Sequence, residues 1–504
     1  MLARHREALV AAAAAGLVAA LLAWLAPRGG DYAAHAYQRE LFIHHGFTFW
    51  DNYWYAGRYA FVGYSLLYYP LAAWLGLEVL AVLCVAVAAA AFAWLLEHEW
   101  GERAVWASRT FAVLWTGVLL TGEFPFTLGI ALALLALAAL QAGRHWLGAF
   151  LIFAVVASSP VAFVLLAAVV VGVGVRRYRL VAAGALVAAW IAELVVLRVF
   201  AAGGTLGFAW IEAVEAIVFC VGGIALTLGA DRAAPLRRFL VVYLLVVLAT
   251  WAIPSGLGHD VARVRLLALP LVLLLAALRR WRPLPVLVAA VLLAAAWNIQ
   301  PLASQWIASS ADGSSAAKVC TAPVAWLHAH LGPGYRVEVV DTSQHWPAYY
   351  VAGEGIPLAR GWFRQDDFPF NRLLYAPALD YGEYMSWLHR LGIAYVVVTR
   401  FPLDHTAVPE EAMVTTTLPR AFRTVDVSIY SVPHARSIVS GGAEVLALNQ
   451  ASVDVRVPRA GDYRIAIRWS RFAGSSQGVA YRTADDMVGL RVQGPGTVRL
   501  SFAP

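Results

Sequence analysis

The sequence predicts an α-helical polytopic membrane protein of about eleven transmembrane helices, with a C-terminal extracytoplasmic region of α/β plus β-sandwich type. Three observations carry this fold class. Of 504 residues, 61% are hydrophobic and 14% charged, where a soluble domain carries about a quarter charged. Apolar runs of near-spanning length recur as far as Trp297. After Gln300 the chain turns polar, with Pro, Gly and short alternating runs.

The first run, Ala8–Ala26, lacks an A-x-A cleavage site before charged residues, so it is expected to stay as a signal anchor. Further runs are Leu66–Leu96, Val105–Leu120, Leu128–Leu140, Leu147–Pro160, Val161–Val175, Leu180–Val199, Ile211–Ala230, Phe239–Ile253, Leu266–Leu278 and Pro285–Trp297. A window of about 19 apolar residues marks a span. Several of these runs are shorter, so polar neighbours must join the helices or the helices must break.

Short basic loops set the orientation. "MLARHR", "QAGRHW", "VRRYR", "DRAAPLRR" and "LRRWRP" alternate with less basic loops, as the positive-inside rule requires. "EHEWGER" fits less well, but acidic residues count little in that rule. The same parity puts "TGEFPF", "AAGGTLG", "PSGLGHDVAR" and everything after Gln300 outside. The net charge of +7 sits in these clusters, so it marks a membrane protein and no nucleic-acid partner. Three cysteines, two of them in apolar runs, suggest no disulfide framework.

Three regions follow: 1–300, a transmembrane domain with a first extracytoplasmic loop at 29–65; 301–435, an α/β domain; and 436–504, a β-sandwich-like domain. In the second, "YRVEVV" and "IAYVVV" read as strands, and "YMSWLHRLG" as a helix ended by Gly392. In the third, "VDVRV", "YRIAIRW", "MVGLRV" and "TVRLSF" alternate by twos.

No P-loop, dinucleotide-binding glycine motif, H-E-x-x-H or nucleophile elbow is present. Candidate chemistry gathers in outer loops. The opening loop holds Asp31, His35, Arg39, Asp51, Asn52 and Arg58 among Trp50, Tyr53, Trp54 and Tyr55. Asp31 and His35 lie four apart, on one face of a short helix. Asp31 also reads as a plain N-cap, and the aromatics as an interfacial belt. Glu123 stands in "TGEFPFTLG", where a solvated loop carboxylate is the simpler reading. "GHDVARVR" holds His259, Asp260, Arg263 and Arg265. Arginines on an outer loop run against the positive-inside bias, so they suit an anion such as a lipid phosphate. Pairing with Asp260 or with lipid is the alternative.

An Asp just after the first span, in a long outer loop followed by many helices and an outer C-terminal domain, resembles the GT-C superfamily of membrane glycosyltransferases. More narrowly, the chain is similar to polytopic actinobacterial proteins of the YfhO type. The shared stretches are the Asp31…His35 loop, "FPFTLG" at Phe124–Gly129, "ARGWFRQDDFPFNRLLY" at Ala359–Tyr375 and "WLHRLGIAYVVV" at Trp387–Val398. The GT-C resemblance implies a sugar donor on a polyprenyl phosphate, a glycan or lipid acceptor, and a loop carboxylate that acts as base or holds a metal. Asp31 is then the base, with Asp51 as substitute and His35 orienting it or touching the acceptor. Trp50, Trp54, Tyr55, Arg58 and Glu123 would contact substrate, and His259, Arg263 and Arg265 would meet the donor phosphate. Asp31 is followed by Tyr32 and not by a second carboxylate, so no metal site is indicated and no cofactor is named. Two other functions fit the composition: a transporter or flippase of a lipid-linked saccharide, and a non-catalytic glycan-binding scaffold.

Overall fold

The computed structural model describes residues 6–200 and 204–502, without the side chains of 175–179. Residues 1–5 of "MLARHR", the start of "AAGGTLG" and the side chains of "VRRYR" lie outside the described residues. The chain divides into two compact units. One, helical, joins Met1–Gly29 to Gly63–Ile307; the other joins Gly30–Val62 to Ala308–Pro504.

In the helical unit, among the described residues, eight segments are long and apolar enough to cross a membrane. The expected count of about eleven falls for two reasons. Leu147–Pro160 and Val161–Val175 are helices His145–Ser158 and Pro160–Val173, of 14 residues each. At 1.5 Å per residue each reaches only about 21 Å, short of a hydrocarbon core of about 30 Å. Pro160 has no N–H to continue the first helix, and Ser159 is extended (φ −159°, ψ 115°) with its Oγ accepting from Ala162 N–H. The carbonyl of Ala157, left open by that break, accepts instead from Leu67 N–H at 3.1 Å and Ser65 Oγ at 3.2 Å. The second reason is that the run Val105–Leu120 is not one long helix: it is Val105–Leu114, a 3-10 turn at Trp115–Gly117 and Val118–Thr121, set off from Leu77–Trp100 by a break at Gly101–Ala104 within one apolar stretch of 45 residues. Gly101 there takes φ +63°.

The alanine-rich first helix, Arg6–Leu25, has a reason for its composition. Ala11, Ala15 and Ala19 are fully buried on one stripe, and the helix packs against Leu77–Trp100. Gly16 faces Ala86 with room for only an ordinary contact. Small residues allow helices to approach closely where lipid supplies no hydrophobic drive.

The second unit departs from the expected boundaries. Residues 30–62 fold with 308–504, and the α/β and sandwich parts are one body with them. The α/β sheet runs Arg336–Val339, Ile393–Thr399, Val427–Ser431, Arg420–Arg423, with the first pair parallel and the rest antiparallel. Helix Tyr381–Leu391 precedes the second strand and ends at Gly392, φ +76°. The sandwich has a four-stranded sheet, Ala473–Ser475, Gly496–Phe502, Ser452–Val457, Glu444–Asn449, and a three-stranded one, Val479–Arg482, Met487–Val492, Gly461–Arg468.

The opening loop supplies core to both parts. It contains helix Tyr32–His45 and a two-residue ribbon, Trp50–Asp51 with Arg58–Tyr59. Trp54 and Tyr55 join the α/β core, and Tyr53 O accepts from Leu358 N–H at 2.7 Å. Toward the sandwich, Trp50 stacks on Phe502 at 5.0 Å, Asn52 N–H donates to Gln450 O at 2.7 Å, and Arg468 N–H donates to Ala56 O at 2.8 Å. Aromatic density in this stretch is therefore core, because rings that leave a membrane helix must be covered. Gly361 in "ARGWF" lies against the Trp54 ring so closely that a Cβ would sit 2.2 Å from Cδ2.

Trp50→Ala should destabilise the second unit by about 3–5 kcal/mol, the usual cost of truncating a buried aromatic. Val425→Ala, at a position 82% exposed, should change it little. Urea unfolding of the detergent-solubilised protein, followed by near-ultraviolet circular dichroism, measures both; equal midpoints would refute the assignment of Trp50 to the core.

Candidate functional site

In the helical unit, charged side chains from three distant segments meet. Gly122 ends helix Val118–Thr121 in the left-handed region, φ +78°. Glu123 then stands at the N-cap of Phe124–Gln141, with Pro125 in the first turn. This Gly–Glu–x–Pro reversal places the Glu123 carboxylate at a helix end. Gly258–Leu267 winds as a 3-10 stretch before helix Ala268–Leu278. Asn298, from the last long helix, stitches that junction: it donates to Arg265 O at 3.0 Å and accepts from Leu269 N–H at 2.9 Å. Arg263 lies between two carboxylates, Asp260 at 2.8 Å and Glu123 at 3.3 Å, and over the Phe126 ring at 4.9 Å. Arg265 pairs with Glu215 of helix Trp210–Thr227. His259 Nδ1 is 3.0 Å from Gly207 O, 3.8 Å from Glu212, and its Nε2 is 3.7 Å from Asp260. The two arginines expected to meet phosphate are thus already held by carboxylates, and acid outnumbers base in the cluster. Glu212 and Glu215 were not singled out by sequence; their signal was a pair of glutamates in an otherwise apolar helix, Glu212 in its first turn.

In the second unit, Asp31 sits at the N-cap position of Tyr32–His45, but its side chain makes no capping bond. It accepts instead from Trp362 Nε1 at 3.2 Å. Trp362 stacks on His345 with centroids 3.2 Å apart, and Arg364 lies 5.0 Å from the Trp362 ring. His345 Nδ1 is 2.5 Å from Asp341 Oδ1, and Arg364 pairs with Asp404 at 2.5 Å. Gln344 fixes the chain beside Asp31, accepting from Gly30 N–H at 2.6 Å. Asp31 is half-buried, so a carboxylate, an imidazole, an indole and a guanidinium share one locality. The partners of Asp31 lie more than 300 residues away, within and near "ARGWFRQDD", and no local spacing announces them.

The aromatic candidates and His35 of the opening loop are enclosed. Trp50, Trp54 and Tyr55 are at most 2% exposed, and His35 is 1% exposed. They offer no face to a ligand in this state; their surface belongs to the core. Arg58 pairs with Asp366 at 2.7 Å and lies over Phe363 at 4.3 Å. Asp51 is fully buried and accepts from Tyr37 OH at 2.9 Å and Tyr53 N–H at 3.0 Å. Burial pushes its carboxyl up to about 6, against the opposing pull of those two hydrogen bonds and Arg58.

A second enclosed network lies under the sheet. Arg360 bonds Glu338 at 2.6 Å and Glu410 at 2.8 Å, and lies 3.7 Å from Asp367. Tyr384 OH donates to Glu410 at 3.0 Å, and Asn371 Nδ2 to Asp367 at 2.7 Å. Burial pushes the carboxyl pKa values of Glu338, Glu410 and Asp367 upward, Glu338 most strongly. Among the described residues no group of three or more His, Cys, Asp or Glu side chains is arranged to hold a metal ion.

No protein-family model and no curated protein matches the sequence. Among solved structures, the chain is similar to the arabinofuranosyltransferase AftD from Mycobacteria, with TM-score 0.48 and 16% identity over 91% of this chain and 41% of that one. It is also similar to ArnT from Cupriavidus metallidurans in the apo state, with TM-score 0.39 and 14% identity over 82% of this chain and 97% of that one. A third similarity is to the archaeal oligosaccharyltransferase AglB from Archaeoglobus fulgidus, in complex with an inhibitory peptide and a dolichol-phosphate. There the TM-score is 0.34 and the identity 13%, over 79% of this chain and 70% of that one. This chain therefore spans well under half of the arabinofuranosyltransferase. At these scores and identities the likeness carries no argument about what the chain does, which rests on the residues above.

Asp51 gives a pH dependence with a definite sign. Burial raises its folded pKa to about 6, above the ordinary carboxyl value of 3.8. Its contribution to stability is therefore fully present below pH 4 and lost as pH rises through 6, by about 3 kcal/mol. Asp51→Asn keeps an acceptor and removes the titration. Unfolding free energies of the second unit between pH 4 and 7.5 should fall less steeply in the variant, and parallel profiles would refute this role.

Proposed function

We propose that this protein is a membrane glycosyltransferase that moves a sugar from a polyprenyl-phosphate donor to a glycan or lipid acceptor of the cell envelope, on the extracytoplasmic face. The observation that carries this reading is Arg263 held between Glu123 and Asp260 at the ends of membrane helices. A lipid-borne phosphate reaches the protein at that depth. It would take over one of the two places on the guanidinium and release a carboxylate.

In this mechanism the acceptor hydroxyl loses its proton to a carboxylate as its oxygen attacks the anomeric carbon. The bond from that carbon to the phosphate oxygen breaks, and the electron pair leaves with the polyprenyl phosphate. Arg263 and Arg265 stabilise the charge that grows there. Attack on the face opposite the leaving group inverts the anomeric centre. Glu123 and Asp260 are one source of the base. Asp31, in the second unit, is a separate candidate base on the geometry of that unit alone: its carboxylate is not engaged as a cap, and Trp362 Nε1 orients it. His259, beside Asp260, is a donor to phosphate oxygens.

The deciding assay gives the purified protein a radiolabelled polyprenyl-phosphate sugar and an envelope-glycan acceptor. Release of lipid phosphate coupled to glycan growth is expected. Movement of intact donor across vesicles without transfer would instead establish a flippase.

Arg263→Ala should weaken apparent donor affinity roughly 10- to 100-fold, the worth of a charge-assisted contact to phosphate. Arg263→Lys should recover only part of this, because the planar fork is lost. Donor titrations of the two variants check it; wild-type affinity in Arg263→Ala would remove the assignment.

Asp31→Asn keeps the acceptor for Trp362 and removes the base. If Asp31 is the base, transfer should fall at least about a hundredfold with thermal stability unchanged. Initial rates and melting curves of Asp31→Asn and Glu123→Gln, side by side, show which carboxylate serves. An unchanged rate in Asp31→Asn would exclude it.

A further inference from the structure

Arg336 opens the strand Arg336–Val339 and is wholly buried. Its Nη1 donates to Leu391 O at 3.0 Å, and its backbone N–H to Gly392 O at 2.8 Å. Both acceptors belong to the C-terminal end of helix Tyr381–Leu391. The guanidinium thus meets the negative end of a helix dipole, equivalent to about half a charge. That does not satisfy a buried arginine. Among the described residues, Nε and Nη2 have no hydrogen-bond partner.

The charged groups acting on Arg336 are two more arginines, Arg468 and Arg464. Burial first, and then these two, push its pKa down to about 9. Arg468 ends the strand Gly461–Arg468 and is 9% exposed. It bonds Tyr55 O at 3.3 Å and lies 3.8 Å over Phe370. Burial pushes Arg468 down to about 10, with Arg390 and Arg464 adding to it and Asp486 and Asp485 opposing it. Those two carboxylates have other partners: Asp485 binds Arg464 at 2.7 Å, and Asp486 binds Arg482 at 2.6 Å. Arg464 also reaches Arg390 O at 3.2 Å.

A buried guanidinium without a counter-charge is costly. The two open nitrogens of Arg336 are informative as a pair. Nε and Nη2 lie along one edge of the planar group and send their N–H bonds out in parallel. That edge matches two oxygens of one carboxylate or phosphate. A single-atom anion such as chloride meets only one direction of that fork well.

We infer that Arg336 and Arg468 form a buried binding site for a small oxyanion, a phosphate or a carboxylate, where the α/β sheet meets the sandwich. The Nε–Nη2 edge of Arg336 holds two of its oxygens, and Arg468 supplies a second positive charge. The oxyanion does structural work, because it binds the folded unit and has no such site in the unfolded chain. This site is separate from the proposed transfer reaction and stands or falls without it.

The test uses full-length protein in detergent, at constant ionic strength, with chloride replaced stepwise by inorganic phosphate or by acetate. Melting of the second unit is followed by near-ultraviolet circular dichroism. In the wild type, saturable stabilisation is expected, of roughly 5–10 °C at a hundredfold excess over the dissociation constant. Stabilisation by phosphate alone identifies a phosphate site, and by acetate as well a carboxylate-tolerant one. Arg336→Met should abolish the effect and, without oxyanion, melt no lower than wild type, since it removes an uncompensated buried charge. If Arg336→Met does not fold, Arg336→Lys keeps the charge and loses the fork, and should weaken oxyanion binding at least tenfold. Equilibrium dialysis with labelled phosphate gives the stoichiometry, expected to be one per chain. No saturable stabilisation in the wild type, or the same stabilisation in both variants, would overturn the site.

Discussion

Asn52 is the joint on which the second unit depends. Its backbone N–H donates to Gln450 O at 2.7 Å, its Nδ2 to Asn449 O at 2.8 Å, and its Oδ1 accepts from Trp50 Nε1 at 2.8 Å. One buried amide therefore ties the opening loop to a sandwich hairpin and sets the indole beside it. A few residues on, Tyr55 accepts from Phe363 N–H at 2.6 Å and donates to Phe363 O at 3.1 Å. The loop is thereby fastened to both parts at once, which also share a buried cluster around Met487 and Trp387. Such a buried amide must keep all its partners, since losing one leaves the rest desolvated without compensation. This explains why a segment near the start of the chain folds with one that begins almost 250 residues later.

That tie places Asp31 at the edge of a rigid body. Helix Tyr32–His45 buries Tyr32, Ala33, Ala34, His35, Ala36, Tyr37 and Gln38 in succession. A helix buried on so many sides cannot shift by a fraction of a turn without opening the core. The Asp31 carboxylate is therefore positioned by packing as well as by Trp362. Nearby, Arg360 is bonded by more carboxylate than it can neutralise. Burial pushes the carboxyl pKa values of Glu338, Glu410 and Asp367 upward, against the pull of Arg360. The "RGWFRQDD" stretch sets Arg360 and Asp367 into this network and Trp362 and Arg364 beside Asp31, so one short segment serves both structure and site.

Local pattern in the sequence reached most of the architecture. Gly392 ended its helix as expected, because only glycine takes φ +76° there without strain. The two α/β strands and the four alternating sandwich strands stand where period-two patterning put them. Short strands such as Ala473–Ser475 carry too few residues for a period to show. The apolar runs marked helices but not their length, since run length says nothing of the break that Ser159 and Pro160 impose. The site was half legible. That Arg263 and Glu123 are candidate site residues could be read from polar residues in outer loops; that they touch each other, across 140 positions, could not. The aromatics of the opening loop misled for a related reason. Composition distinguishes apolar from polar surface, but not a ring facing a ligand from a ring facing another strand.

Three arginines show how differently the same group can be treated in one chain. Arg263 has two carboxylates and is partly exposed. Arg360 has three, is almost wholly enclosed, and is fixed. Among the described residues Arg336 has none; its guanidinium faces a helix end and is opposed by other arginines. Solvation alone cannot reconcile these, since Arg336 is the most deeply buried of the three and the least compensated. An uncompensated charge in that position is costly, which is what makes its open edge informative. The contrast therefore lies in compensation: Arg263 is held by two carboxylates at a partly open position, whereas the Nε–Nη2 edge of Arg336 is enclosed and, among the described residues, unpaired.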